Sequence, residues 1–390
     1  MSTTIMAKAN EEVSADAGPS RIRSFHAKGK ASLRSVQMES ASWCTFAELE
    51  FTFPLRLMSP RESSLQAVDR IKQYRNEEPL LWNRKGKGRA DDQEGVDQIR
   101  PVGVLYVVGF GGGLVSGDRV EVDFDVGCGS TLLLLTQGTT KVFKIRRPIP
   151  PPPAPAVQPP SLAGDRASQD TLQYFRFIVR ENSTLVLLPD AVTCFEDARY
   201  EQVQRVDVRC RRTSSLILLD WYTPGRIYYC NSEEPNLAEL WGFGMYKSRN
   251  EIRVQGKVVV RDSLLLEKEE HEQNRVTGDG TASSLAKRNA PYRCYATLFL
   301  LGPDFQDIIQ ELFDAYDQVQ QGMRKVPPRF LWSFSILEED LVEAGVSLRA
   351  AVLRIAAESA DDVRNWLRVA LHSMQAVIGD DLYKQAFGNA

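Results

Sequence analysis

The chain has 390 residues but only three histidines, six cysteines and no apolar run longer than four or five residues. Each shortage excludes a class of function. His26, His271 and His372 form no HxH or HxxxH pair, so no preformed, tight transition-metal site of the storage kind is expected. Cys44, Cys128, Cys194, Cys210, Cys230 and Cys294 include no CxxC pair, and the start at Met1 lacks the apolar core of a secretory signal. Reduced thiols and a cytoplasmic location are expected. Runs such as residues 132–135 fall far short of the roughly 18 apolar residues of a membrane helix. Lys plus Arg at 48 nearly balance Asp plus Glu at 51, so the basic excess of a nucleic-acid binder is missing.

What is present suffices for a core: 43% of residues are hydrophobic and 9% aromatic. The length alone permits two or three domains or one large all-β domain. A disordered tail is expected over residues 1–30, followed by one domain over 31–390 that carries three surface insertions. The first, about 76–100, contains Lys85-Gly-Lys-Gly-Arg-Ala-Asp-Asp; the second, about 146–170, is rich in proline; the third, about 267–290, opens with Glu267-Lys-Glu-Glu-His-Glu. None has apolar periodicity, and solvated spacers are the commoner explanation of such stretches.

Between the insertions the pattern is that of strands. Val120, Val122, Phe124 and Val126 alternate with Glu121, Asp123 and Asp125, which places one set on a buried face and the acids in water. Further strand-type runs lie at 131–136, 174–180, 184–188, 204–210, 215–221, 226–230, 251–254 and 257–266. Many short strands in succession imply stacked or sandwiched sheets. After about Pro303 the spacing turns helical, first over 305–319 and again over 363–378, so the C-terminal quarter is expected to be largely helical. Ser359 and Asp361 offer N-cap chemistry to the last helix, and Gly379 sits where its C-cap should.

Gly109-Phe-Gly-Gly-Gly-Leu-Val-Ser-Gly-Asp118 is the most unusual segment, and it fails three catalytic templates. Leu114 stands where a dinucleotide fingerprint needs its third glycine. Asp118 stands where a phosphate loop needs lysine, and a carboxylate there repels phosphate. Leu114 also breaks the GxSxG elbow around Ser116. The glycines therefore serve backbone geometry first. A second segment, Thr136-Gln-Gly-Thr-Thr-Lys141, could hold an anion in a backbone nest, although a capped hairpin explains the same residues. Carboxylates such as Asp118, Glu196 and Asp197 could pass a hydrated divalent ion, because hard oxygen ligands bind weakly and exchange readily. With three poorly placed histidines, no nucleophile activated by His emerges, and no catalytic constellation is expected.

Gly112-Gly-Leu-Val-Ser-Gly-Asp118 followed by Thr136-Gln-Gly-Thr-Thr-Lys-Val-Phe143 resembles the paired signature of the urease accessory protein D family, UreD or UreH. The resemblance continues through residues 188–202, Asp220-Trp-Tyr-Thr-Pro-Gly-Arg226, Glu239-Leu-Trp-Gly-Phe and Glu251-Ile-Arg-Val, while the tail and insertions resemble eukaryotic, fungal members. It implies a mainly β fold, a solenoid-like stack of many short strands with a few C-terminal α-helices. It also implies a non-enzymatic maturation factor that binds UreF and apo-urease and, with UreG, delivers nickel to the urease active site. No tightly bound cofactor is implied, Ni2+ being transient cargo, and a hetero-oligomer with UreF is expected. By position, Gly112, Gly113, Gly117, Asp118, Thr136, Gln137, Gly138, Lys141, Pro224, Gly225 and Arg226 match family motifs expected to shape the interior. Asp118, Glu196 and Glu239 are the candidates for an internal nickel passage. Many bacterial members carry a His shortly before the glycines, where this chain has Val107-Val-Gly-Phe. The alternatives are an anion- or nucleotide-binding enzyme that uses the glycine turn and Lys141, and a storage metallochaperone.

Overall fold

A computed structural model describes residues 24–38, 41–60, 100–145, 169–226, 239–269, 283–319, 328–337, 342–343, 346–347 and 349–388. In chain order the strands begin with β1 (His26–Met38), β2 (Ala41–Phe51), β3 (Leu55–Met58), β4 (Val102–Gly109), β5 (Arg119–Val126), β6 (Thr131–Thr136) and β7 (Thr140–Val142). They continue with β8 (Thr171–Val179), β9 (Thr184–Leu187), β10 (Val192–Cys194), β11 (Arg199–Val208), β12 (Ser215–Thr223), β13 (Met245–Val254) and β14 (Lys257–Glu267). Then follow α1 (Ser284–Asn289), β15 (Cys294–Leu301), α2 (Gln306–Asp317), β16 (Phe330–Leu337) and the short pair β17 (Val342–Glu343) and β18 (Val346–Ser347). The last elements are β19 (Ala350–Ala357), α3 (Ala360–Ala370), α4 (Gln375–Ile378) and α5 (Asp380–Phe387). Among the described residues no helix is long and apolar enough to cross a membrane.

The class is mainly β, as expected, and the strands form two large sheets. One has seven strands in the order β14-β13-β11-β8-β5-β1-β2; the other has ten, running β16-β19-β15-β12-β9-β6-β4-β3 with β10 and β7 attached beside β12. From β4 to β13 the chain passes back and forth between them. As a result β5, β8, β11 and β13 are parallel neighbours in the first sheet. β4, β6, β9 and β12 are parallel neighbours in the second.

Burial explains why the two sheets read differently. β5 is half-buried: Val120, Val122, Phe124 and Val126 face the core between the sheets, and its acids face water. β6 is buried on both faces, which requires a continuous apolar run. Leu132 and Leu134 enter the inter-sheet core, while Leu133 and Leu135 enter a second core under the C-terminal helices. The ten-stranded sheet is thus the middle layer of three, and each fully buried leucine contributes about 1.5–3 kcal/mol.

Helix outweighs strand among the described residues of the C-terminal quarter, as expected, but strands lie there too. β16 and β19 lie within it, with β19 paired antiparallel to both β15 and β16. The helical spacing over 363–378 is also broken, since α3 ends at Ala370 and a 3-10 turn at His372–Met374 precedes α4. The expected caps are present: Ser359 Oγ accepts from Asp362 N at 3.1 Å, and Gly379 follows α4 with φ of +85°. β1 opens at His26, inside the stretch expected as tail. Residues 283–290 of the third expected insertion are ordered around α1, where Leu285 is buried. Most of the three insertions, and the strand expected after Arg226, lie outside the described residues.

Candidate functional site

The two glycine-bearing segments, some twenty-five residues apart in sequence, are docked on one another. After β4 the chain makes a 3-10 turn at Phe110–Gly112, with Gly112 in the left-handed region at φ +77°. Gly113 is extended, and its reason is space: a Cβ there would lie 2.5 Å from the Lys141 carbonyl oxygen. That close approach lets Leu114 N donate to Lys141 O at 2.8 Å and Phe143 N donate to Leu114 O at 2.9 Å, a parallel bridge outside the main strands. Gly117 closes the turn into β5. On the other side, Thr136 Oγ1 donates to Gly138 O at 3.1 Å and accepts from Asp190 N at 2.8 Å, while Gln137 and Lys141 are exposed.

Asp118 is 1% exposed and serves as a lock for this turn. Its carboxylate accepts from Val115 N at 2.8 Å and Phe25 N at 3.0 Å. It is not among the described residues that line the cavity below. An anion nest at these turns would need free backbone donors, but Leu114 N, Val115 N and Thr140 N are all engaged.

Between the two turns opens a cavity of about 300 Å3. Its outer wall includes Phe110, Gly112, Gly113 and residues 137–141, and its inner wall reaches the buried side chains of Gln202, Gln204 and Asp220. These inner residues belong to a polar cluster set into the core between the sheets. β11 and β13 run parallel with Gln202 beside Ser248 and Gln204 beside Asn250, so four polar side chains form a square on the inner face of the seven-stranded sheet. β12 supplies Asp220 opposite them.

The Asp220 carboxylate accepts from Gln202 Nε2 at 3.0 Å, Ser248 Oγ at 2.5 Å and Asn250 Nδ2 at 2.7 Å. Tyr200 OH donates to Gln202 Oε1 at 3.1 Å. Desolvation pushes the Asp220 carboxyl above the usual carboxylate range, against the pull of the Ser248, Asn250 and Gln202 donors. Gln204 Oε1, Asn250 Oδ1 and Tyr246 OH are buried with no hydrogen-bond partner among the described residues. Each such group costs about 1–3 kcal/mol.

Glu196 and Glu239 lie elsewhere, beyond the end of β10, near enough for the charge of Glu239 to act on Glu196. Gly225 lets the Glu239 backbone pack closely against it, since a Cβ there would lie 2.4 Å from the Glu239 carbonyl oxygen. Arg226 donates to both carboxylate oxygens of Glu239 and stacks over Phe195 at 4.5 Å, while Pro224 O accepts from Trp241 N at 2.8 Å. Glu196 is pushed up by desolvation first and then by the nearby Asp197 and Glu239. Lys268 Nζ lies 3.4 Å from Asp197 Oδ1. Among the described residues no group of three or more His, Cys, Asp or Glu side chains could hold a metal ion. Glu239 thus acts on Glu196 through its charge, and Asp118 belongs to a different turn.

Sequence reasoning passed over Gln202, Gln204, Ser248, Asn250 and Asp220 as site residues. A signal was available: the inward parity of Val206 and Val208 on β11 extends back through Gln204 and Gln202, and Asp220 interrupts an apolar run.

Comparison with known proteins gives a consistent result. Residues 52–386 match the family model described as UreD urease accessory protein. Urease accessory protein 4 of Cryptococcus neoformans is 34% identical over 290 residues, covering 72% of this chain and 81% of the relative. Urease accessory protein D of Arabidopsis thaliana is 28% identical over 72% of this chain and 85% of its own length. A urease accessory protein ureD-like sequence of Schizosaccharomyces pombe is 29% identical over 68% of this chain and 79% of its own.

Proposed function

The chain belongs to the UreD family of urease accessory proteins, and from that premise we propose that it is a non-catalytic maturation factor that joins apo-urease to UreF and UreG and supports nickel delivery. Its role is in urease maturation. The observation that carries the internal-route reading is the cavity that leads from the docked glycine turns to buried oxygen atoms between the sheets. Oxygen ligands without imidazole or thiolate hold divalent ions weakly, which suits cargo that must leave again. Glu196 and Glu239 supply a second carboxylate station, with Arg226 offsetting one of the two charges. Asp118 shapes the entrance through its backbone bonds rather than by meeting the ion. The C-terminal helical layer or a sheet face is the surface for UreF.

Co-purification tests the scaffold: tagged protein should retain both UreF and apo-urease, and a chain that retained neither would end the proposal. The route is tested separately by Glu196→Gln combined with Glu239→Gln. That variant should lower the nickel content of urease at unchanged complex yield. Unchanged nickel would remove these two residues from the route and leave the scaffold intact.

A further inference from the structure

Among the large apolar side chains exposed to water, three phenylalanines touch one another. Phe25 precedes β1, Phe53 lies between β2 and β3, and Phe110 opens the turn after β4; they are 38%, 59% and 44% exposed. Phe53 stacks on Phe110 with ring centroids 5.7 Å apart and meets Phe25 edge-on at 5.0 Å. Backbone bonds hold this aromatic shelf in place. Phe110 N donates to Pro54 O at 2.8 Å, Arg119 N donates to Phe25 O at 2.8 Å, and Phe25 N donates to the Asp118 carboxylate at 3.0 Å. Contiguous apolar surface left in water costs about 25 cal/mol per Å2 relative to burial, and in a folded chain it marks an interaction site.

The charge around the shelf is one-sided. Arg56 lies over the Phe110 ring, 5.9 Å from its centroid. Lys28 N donates to Thr52 Oγ1 and Thr52 N donates to Lys28 O, which sets Lys28 beside the Phe53 loop. Arg119 is held against Phe25 by the backbone bond above, and Lys141 shares the cavity wall with Phe110. All four cations are exposed, and none forms an ion pair among the described residues. The two acids within these segments are already engaged: Asp118 with the Val115 and Phe25 donors, and Glu121 with His26 Nε2 at 3.0 Å.

We propose that the Phe25, Phe53 and Phe110 shelf is a docking surface for a protein partner that presents aliphatic side chains ringed by Asp or Glu. The chain leaves both halves of such an interface unmet, an apolar centre and a cationic rim, and interfaces place a few aromatic anchors at the centre with polar groups around them to exclude water. The unpaired cations supply the charge complementarity that steers an acidic partner and rejects a basic one. The shelf stands on loops at one end of the sheets and not on an amphipathic helix, so it suits a protein rather than a lipid surface. The proposal rests on the reading of the chain as a scaffold and assigns one of its docking faces. Phe53, Lys28 and Arg56 do not line the cavity, so replacing them leaves the interior as it is.

The test is biolayer interferometry of the full-length protein against purified UreF and purified apo-urease, each alone. Phe53→Ala should weaken binding to at least one of the two by about tenfold or more. Lys28→Glu combined with Arg56→Glu should weaken the same partner by about tenfold at low salt and by less at about 1 M salt, where screening acts beyond roughly 3 Å. Leu331→Ala is the control: it removes an exposed apolar side chain from β16, at the opposite edge of the ten-stranded sheet from β3, and should bind as wild type. Circular dichroism and a thermal melt establish that each variant is folded. If Phe53→Ala does not fold, the charge-reversed variant decides by the same criterion. Affinities for both partners within about twofold of wild type overturn the surface and leave the scaffold standing, whereas wild-type protein that binds neither partner ends the scaffold reading and the surface with it. Sedimentation of the lone chain as a dimer that Phe53→Ala returns to monomer would assign the shelf to a second copy, and flotation with phosphatidylserine vesicles that Phe53→Ala abolishes would assign it to a lipid surface; either result overturns the proposal.

Discussion

Replacing Gly113 with alanine isolates the contact that joins the two glycine-bearing segments. Gly113 has φ near 167°, an extended conformation open to any residue, so the substitution carries no left-handed strain. Its whole effect is steric. The new methyl would meet Lys141 O at 2.5 Å, Phe143 Cε2 at 2.8 Å and Lys141 Cβ at 3.0 Å. Two of these contacts are with the Lys141 residue itself, including its backbone, and cannot be relieved by a rotamer change. The strand after Gly138 must move outward, which breaks the 2.8 Å bond from Leu114 N to Lys141 O and loosens the bond from Phe143 N to Leu114 O. Overpacking of this kind costs about 1–3 kcal/mol, and each lost hydrogen bond adds about 0.5–1.5 kcal/mol. The expected destabilisation is therefore roughly 2–5 kcal/mol, a large part of a typical total of about 5–15 kcal/mol. Urea unfolding followed by tryptophan fluorescence reads it as a lower midpoint. Gly138→Ala is the internal comparison, because Gly138 has φ of +76° with nothing within 4 Å of an added Cβ. It should cost only about 1–2 kcal/mol of backbone strain. A Gly113→Ala midpoint equal to or above that of Gly138→Ala would refute the docking of the two turns.

Asp118→Ala strands the backbone donors of Val115 and Phe25 and should lower the thermal midpoint by an amount corresponding to about 1–3 kcal/mol per donor; a neutral result would mean that the carboxylate does not lock the turn. Ser359→Ala removes the N-cap of α3 and should cost about 1 kcal/mol, seen as faster amide exchange at Asp362. Glu251 has its pKa lowered to about 2 by hydrogen bonds from Arg253, Arg205 and Arg261, acting against desolvation. A depressed folded-state pKa gives stability that is present above the ordinary value of 4.5 and lost as pH falls toward 2. The gap in melting temperature between wild type and Glu251→Gln should therefore narrow as pH falls from about 4.5 toward 2. A gap that stays constant with pH would show that the arginine cluster does not act on this carboxylate.

Much of the fold is legible along the chain. The alternation in β5 and the unbroken leucines of β6 report directly whether a strand is buried on one face or two. The caps of α3 and α4 lie in residues whose chemistry is local, and the failed catalytic templates around the glycines needed nothing beyond spacing. β19 is the instructive miss. Its segment Ala-Ala-Val-Leu-Arg-Ile-Ala-Ala favours helix by intrinsic propensity, yet pairing with β15 and β16 along its whole length outweighs that preference.

By itself, the sequence determined the class of the fold, the buried side of β5, the capping residues and the family signatures. Tertiary structure alone decided that Asp118 faces backbone donors, that the charge of Glu239 acts on Glu196, and that Asp220 of one sheet faces Gln202, Gln204, Ser248 and Asn250 of the other. The physical reason is range. A side chain's face repeats every two residues and is written locally, whereas the group it confronts depends on which distant strands become neighbours, and no short window of sequence contains that pairing.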